Sequence, residues 1–169
     1  MDVVPLTTKA EGITFTHRLI YAVAAVLVKH PALRTVINGS RVKIEPTSVA
    51  VAMDTPSGLV APVVRSAETL GLNQIAETIR DFRLRAERNA LRGEELRNGP
   101  FAITNLGMFG VDLFSAFVFY GQTAVLAVGR AADGQAWFNL AVDHRVVDGA
   151  EAARFLETLQ QEMKKGVME

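Results

Sequence analysis

The sequence predicts a single α/β domain, and three observations carry that reading. Apolar residues recur at helical spacing in three stretches, residues 14–29, 72–90 and 150–165. Around them lie short β-prone runs at 47–53, 59–64, 101–106, 114–120, 123–128 and 136–142, separated by turn signals. No stretch reads as a linker, an internal repeat or a low-complexity tract, so residues 1–169 read as one domain with its own core.

Residues 1–13 are polar and read as an arm. Thr14 or Thr16 then caps a helix that runs to Lys29, where His30-Pro31 ends it. That helix is apolar on nearly every side, which predicts burial between layers. His17 falls in its first turn and His30 at its end, and local capping is favoured over a functional role for both. Asn38-Gly39 marks a turn between short β-prone pieces. In residues 47–53, Val49, Val51 and Met53 alternate with small alanines, as in a strand with two unequal faces. Residues 54–58 form a five-residue turn, and residues 59–64 return as the second arm of a hairpin. Pro62 places that arm at an edge or bulge. In the helix over 72–90, Leu72, Ile75, Ile79, Phe82 and Ala86 point inward. Arg80, Arg83, Arg85 and Arg88 share the outer side with Glu77, Asp81 and Glu87, which favours a solvated mixed-charge face over a phosphate patch. A second short helix is expected over 91–98. Residues 101–106 follow as a strand, and Gly107 and Gly110 make the next loop permissive. Strands at 114–120, 123–128 and 136–142 complete the set, with a turn over 130–135.

Composition removes several classes of function. Eighteen basic residues balance eighteen acidic ones, so nucleic acid is not expected as the main partner. The absence of cysteine excludes disulfides, thiolate nucleophiles and Cys-based metal sites. The three histidines share no close ligand spacing, so no metal is expected. No secretory signal and no run of membrane-spanning length is present, which predicts a cytoplasmic protein with no membrane partner.

The chemistry concentrates in residues 143–150, between the last strand and the last helix. Asp148 stands where that helix needs a cap, with Glu151 three residues on, a variant of the capping box. His144 sits in the turn, at the open end of a sheet, and forms the pattern His-x-x-x-Asp-Gly with Asp148 and Gly149. From composition the pattern arises by chance in about one chain in a hundred of this length, so its flanks must decide.

Residues 143–156 (DHRVVDGAEAARFL) resemble the terminal signature of the dihydrolipoamide acyltransferase (E2) core of 2-oxo acid dehydrogenase complexes. Residues 52–65 (AMDTPSGLVAPVVR), 99–110 (GPFAITNLGMFG) and 124–129 (AVLAVG) resemble the same family in the same order. The likeness runs from about Thr14 to Leu159. It implies a two-layer α/β sandwich like chloramphenicol acetyltransferase, a mixed sheet covered by helices. It also implies coenzyme-A-dependent acyl transfer to or from a dihydrolipoyl thiol. That chemistry needs a base near neutral pKa and a donor for the oxyanion, and no nucleophile from the protein. By the resemblance His144 is the base, Asp148 an orienting residue, and Thr104 the oxyanion donor where the family usually has serine. Asn105, Gly107 and Gly110 shape the turn. The family's active sites form between subunits of a trimer, so a homotrimer or larger assembly is expected.

The chain departs from the family in four ways. The opening of the core, which usually supplies an arginine partner for the signature aspartate, has no counterpart before Thr14. Asp148 would then turn to Arg145, Arg154 or another subunit. No stretch of these residues resembles a lipoyl or a peripheral-subunit-binding domain, so the lipoyl group is expected from a separate domain or chain. The family's Asn-Pro-Pro-like turn is replaced at 118–121, and residues 130–137 are abbreviated. Two alternatives follow: a stand-alone acyltransferase for a small-molecule or carrier-bound acceptor, and a non-catalytic trimeric scaffold.

Overall fold

The computed structural model describes residues 12–38, 41–44 and 46–165. Helix α1 (Phe15–Leu27) starts at Thr14, whose hydroxyl accepts from the His17 N–H (3.4 Å). The Thr14 N–H donates in turn to His17 Nδ1 (3.1 Å), so histidine fills the place that Glu or Gln takes in a capping box. Leu19, Ile20, Val23 and Leu27 are completely buried along the helix. Each contributes on the order of 1.5–3 kcal/mol. A 3₁₀ turn (Pro31–Arg34) leads into a small hairpin of β1 (Thr35–Asn38) and β2 (Arg41–Ile44). The Asn38-Gly39 turn expected here lies partly outside the described residues.

Strand β3 (Val49–Val51) begins the main sheet, and β4 (Met53–Thr55) and β5 (Gly58–Val60) form a hairpin of their own beyond it. Their register pairs Thr55 with Gly58, so the turn is tighter than the five residues expected from sequence. The Thr55 hydroxyl allows this by donating to the Gly58 carbonyl (2.7 Å) and accepting from the Ser57 N–H (3.2 Å). Strand β6 (Val63–Val64) then pairs antiparallel with β3 at the sheet edge, the position that Pro62 predicts.

Helix α2 (Leu72–Glu87) turns Ile75, Ala76, Ile79, Phe82 and Ala86 inward and ends three residues earlier than its pattern suggests. The left-handed backbone of Asn89 (φ 53°) closes it. The expected second helix is only a 3₁₀ turn (Gly93–Leu96), held by the nearly buried carboxylate of Glu95. That carboxylate accepts from Arg85 (2.7 and 2.8 Å), from the Arg92 side chain (3.1 Å) and from the Arg92 N–H (2.8 Å). Part of the basic face of α2 is thus structural.

Strands β7 (Phe101–Asn105), β8 (Ala124–Val128) and β9 (Phe138–Val142) complete a mixed sheet of order β6-β3-β7-β8-β9. The three central strands are parallel, and β6 and β9 run antiparallel at the edges. Helix α3 (Gly149–Lys165) follows β9. One sheet face, with Val49, Val51, Phe101, Ile103, Leu126 and Val128, shares a core with the helices, and α1 packs against both α2 and α3. The other face carries the small residues Ala50, Ala102 and Val125, and on it pack Ala116 and Val118.

Those last contacts correct an expectation. Residues 114–120 form no strand. Their alternation is present, with Ala116 and Val118 inward while Phe117 (84% exposed) and Phe119 (63%) point out. The segment lies over the sheet instead of in it, because both sides of β7 and of β8 are already paired. Among the described residues, no helix is long and apolar enough to cross a membrane.

Candidate active site

The turn between β9 and α3 is built from backbone hydrogen bonds around Asp143. Its N–H donates to the Thr123 carbonyl (2.8 Å), and its carbonyl accepts from the N–H groups of Val146 (2.9 Å) and Val147 (3.0 Å). Val147 is buried, and buried Thr123 donates its hydroxyl to the Thr35 carbonyl, so the turn is tied to β8 and to the β1–β2 hairpin. The Asp143 carboxylate accepts from the Arg145 N–H (3.1 Å), Nε (2.9 Å) and Nη2 (2.6 Å). These bonds hold the Asp143 carboxyl below its usual range. His144, between the two, is exposed and opens onto a cleft of about 660 Å³. Ile37 and residues 118–122 and 142–145 line that cleft.

Asp148 does what its position predicts. Its Oδ1 accepts from the Glu151 N–H (2.8 Å), and its carbonyl from the Ala152 N–H (3.1 Å), which caps α3. The arginines considered as its partners are engaged elsewhere, Arg145 with Asp143 and Arg154 with Glu151 (3.3 Å).

Thr104 lies near the end of β7, half-buried, on the same sheet face as Ala102. Asn105 shapes the following turn: its side-chain carbonyl accepts from the Gly107 N–H (2.9 Å) and its amide donates to Thr16 (3.2 Å). At Gly107 a Cβ would meet the Arg130 Cα at 2.8 Å, so only glycine lets these two loops touch.

The register decides how Thr104 and His144 relate. Thr104 pairs with Ala127, which pairs with Asn139. Phe101 pairs with Ala124, which pairs with Val142, the strand residue just before the His144 turn. The two side chains therefore sit at opposite ends of the sheet. Three register steps separate them even before the turn, about 10 Å at 3.3 Å per residue. Thr104 is not among the residues lining the His144 cleft.

The other histidines are structural. His17 is buried, and its Nδ1 is taken by the helix cap; desolvation and then Arg80 push its pKa down. His30 joins the end of α1 to α3 through Glu151 (2.9 Å) and Thr158 (3.1 Å), with Phe155 against its ring. Sequence reading missed the Asp143–Arg145 clasp, although opposite charges flanking a turn histidine were a visible signal.

The family described as 2-oxoacid dehydrogenases acyltransferase (catalytic domain) matches residues 5–166, wider than the blocks recognised in sequence. The chain belongs to this family. A similar protein is the dihydrolipoyllysine-residue acetyltransferase component of the mitochondrial pyruvate dehydrogenase complex of Schizosaccharomyces pombe. It is 41% identical over 128 residues, which cover 67% of this chain and 26% of that protein. The chain thus spans about a quarter of that relative's length. Among solved structures, the cubic core of a pyruvate dehydrogenase multienzyme complex superposes with a TM-score of 0.80 at 28% identity, over 89% of this chain and 68% of that one. The dihydrolipoamide acetyltransferase of Azotobacter vinelandii superposes with a TM-score of 0.80 at 30% identity, over the same shares of the two chains. That structure belongs to a study of a serine, a histidine and an asparagine in its catalytic mechanism. A chloramphenicol acetyltransferase shares the fold, with a TM-score of 0.64 at 15% identity over 92% of this chain and 80% of that one. The expected sandwich class is the observed one.

Proposed function

We propose that this domain moves an acyl group between a dihydrolipoyl thiol and coenzyme A, at sites formed between subunits. Family membership supports acyl transfer, and the observation that carries the interfacial site is the separation of Thr104 from His144 within one chain. In this reading His144 of one subunit faces Thr104 of the next. The Azotobacter enzyme, studied through a serine, a histidine and an asparagine, supports a hydroxyl, a histidine and a polar residue at positions 104, 144 and 148.

An imidazole nitrogen of His144 takes the proton of the incoming thiol. The thiolate sulfur attacks the thioester carbonyl, and the carbonyl electron pair moves onto oxygen. The Thr104 hydroxyl donates to that oxyanion. As the carbon–oxygen double bond re-forms, the old carbon–sulfur bond breaks and the departing sulfur takes its proton from the His144 imidazolium. Asp148 holds the end of α3 that follows the His144 turn. Coenzyme A and a lipoyl group from a separate domain or chain are the substrates. The assembly is a homotrimer or larger, working with dehydrogenase-complex components.

An acetyl-transfer assay with acetyl-coenzyme A and free dihydrolipoamide, run beside size-exclusion chromatography, tests this. Turnover by a trimer or larger species is expected, and H144A should lower kcat by about 10²–10⁴-fold with the fold intact. H144A with wild-type turnover would overturn the mechanism. A folded wild-type oligomer inactive on these substrates would favour another acceptor or a scaffold.

A further inference from the structure

We propose that Asp143 and Arg145 are positioning residues, a charged clasp that fixes the backbone around His144 and balances the electrostatics at its imidazole. The inference rests on the reading of His144 as the base. The Asp143 carboxylate accepts the Arg145 N–H at 3.1 Å, an Asx turn whose central residue is His144. The guanidinium closes the same loop with Nε on Oδ1 (2.9 Å) and Nη2 on Oδ2 (2.6 Å), a two-pronged grip. The backbone of Asp143 is anchored as well, to Thr123, Val146 and Val147. The residues on both sides of His144 are therefore committed to each other, while all three line the cleft.

The Asp143 side chain is 14% exposed and that of Arg145 71% exposed. Exposed ion pairs stabilise folds little, so the consequence of this one is local geometry and charge. The charged and titratable groups that line the cleft with His144 are Asp143 and Arg145 on its own turn and Tyr120, and Asp148 caps α3 four residues further on. With the clasp intact, the carboxylate and the guanidinium offset each other. Removing one partner leaves the other's charge beside the imidazole.

The test is the pH profile of kcat/KM in the acetyl-transfer assay. The base works as neutral imidazole, so activity falls on the acid side. R145A leaves a carboxylate that favours imidazolium, and the acid limb moves to higher pH. D143A leaves a guanidinium that disfavours it, and the limb moves to lower pH. Both should lower kcat by about 10- to 100-fold, the scale expected for a misplaced catalytic group. The double variant should return the limb to its wild-type position while kcat stays low. D143N keeps the turn acceptor and should regain part of kcat. R145K keeps the charge, so its limb should stay in place. Both conservative variants serve where an alanine variant fails to fold, as judged by circular dichroism. Limbs that do not move in opposite directions for folded R145A and D143A overturn the proposal. H144A in the same series separates the two ideas: if it stays active, the base assignment fails; if it is inactive while the limbs stay put, only the clasp fails.

Discussion

At the residue scale the two side chains proposed for the chemistry have different supports. His144 is carried by a turn in which Asp143 is hydrogen-bonded through its backbone and its carboxylate. Thr104 is carried by a central strand, flanked by β3 and β8, where the sheet sets its direction. Threonine has a stiff χ1, so few orientations are open to its hydroxyl. If Thr104 is the oxyanion donor, T104A should cost about 10²–10³-fold in kcat, and T104S should restore most of it, because the role needs only the hydroxyl. T104A with undiminished kcat would remove Thr104 from the site. The sequence made the turn at His144 and the cap at Asp148 visible, since caps and turn chemistry are local, while the roles of His144 and Thr104 came only with the family resemblance. It could not place His144 and Thr104 relative to each other, because that depends on the antiparallel direction of β9 against a parallel centre.

At the element scale, legibility followed locality again. The three helices were visible because each has an apolar face at helical spacing, and α1 could be read as buried because it has no polar face. Residues 114–120 show the limit: alternation was read correctly, but alternation reports one covered face and not a ladder partner. The short helix expected over 91–98 failed for a related reason. Its polarity hid an ion cluster that holds a single turn against α2. That cluster makes a stability prediction. Hydrogen bonds first from Arg85 and then from Arg92 push the Glu95 pKa far below the carboxylate range. Its contribution is therefore present above the ordinary glutamate pKa and lost as pH falls toward the folded-state value. In thermal unfolding, wild type should exceed E95Q at neutral pH, and the gap should narrow as pH drops below about 4. A gap independent of pH would mean that the ionised carboxylate is not its source.

At the scale of the whole molecule, the exposed surface and the separation of Thr104 from His144 both fit the proposed assembly. Phe117, Phe119, Tyr120 and Trp137 are all more than half exposed, a cost that a second copy would relieve. A closed ring of identical subunits would repeat one contact, bringing the His144 end of each chain to the Thr104 end of the next. The most direct measurement is complementation between H144A and T104A. Each variant alone should show little turnover. Coexpressed in equal amounts and assembled at random, they should give oligomers in which about a quarter of all interfaces carry both wild-type side chains, and activity should return to about that fraction of wild type. If the mixed oligomers form and stay as inactive as the separate variants, His144 and Thr104 do not meet between subunits, and the account of the site is wrong.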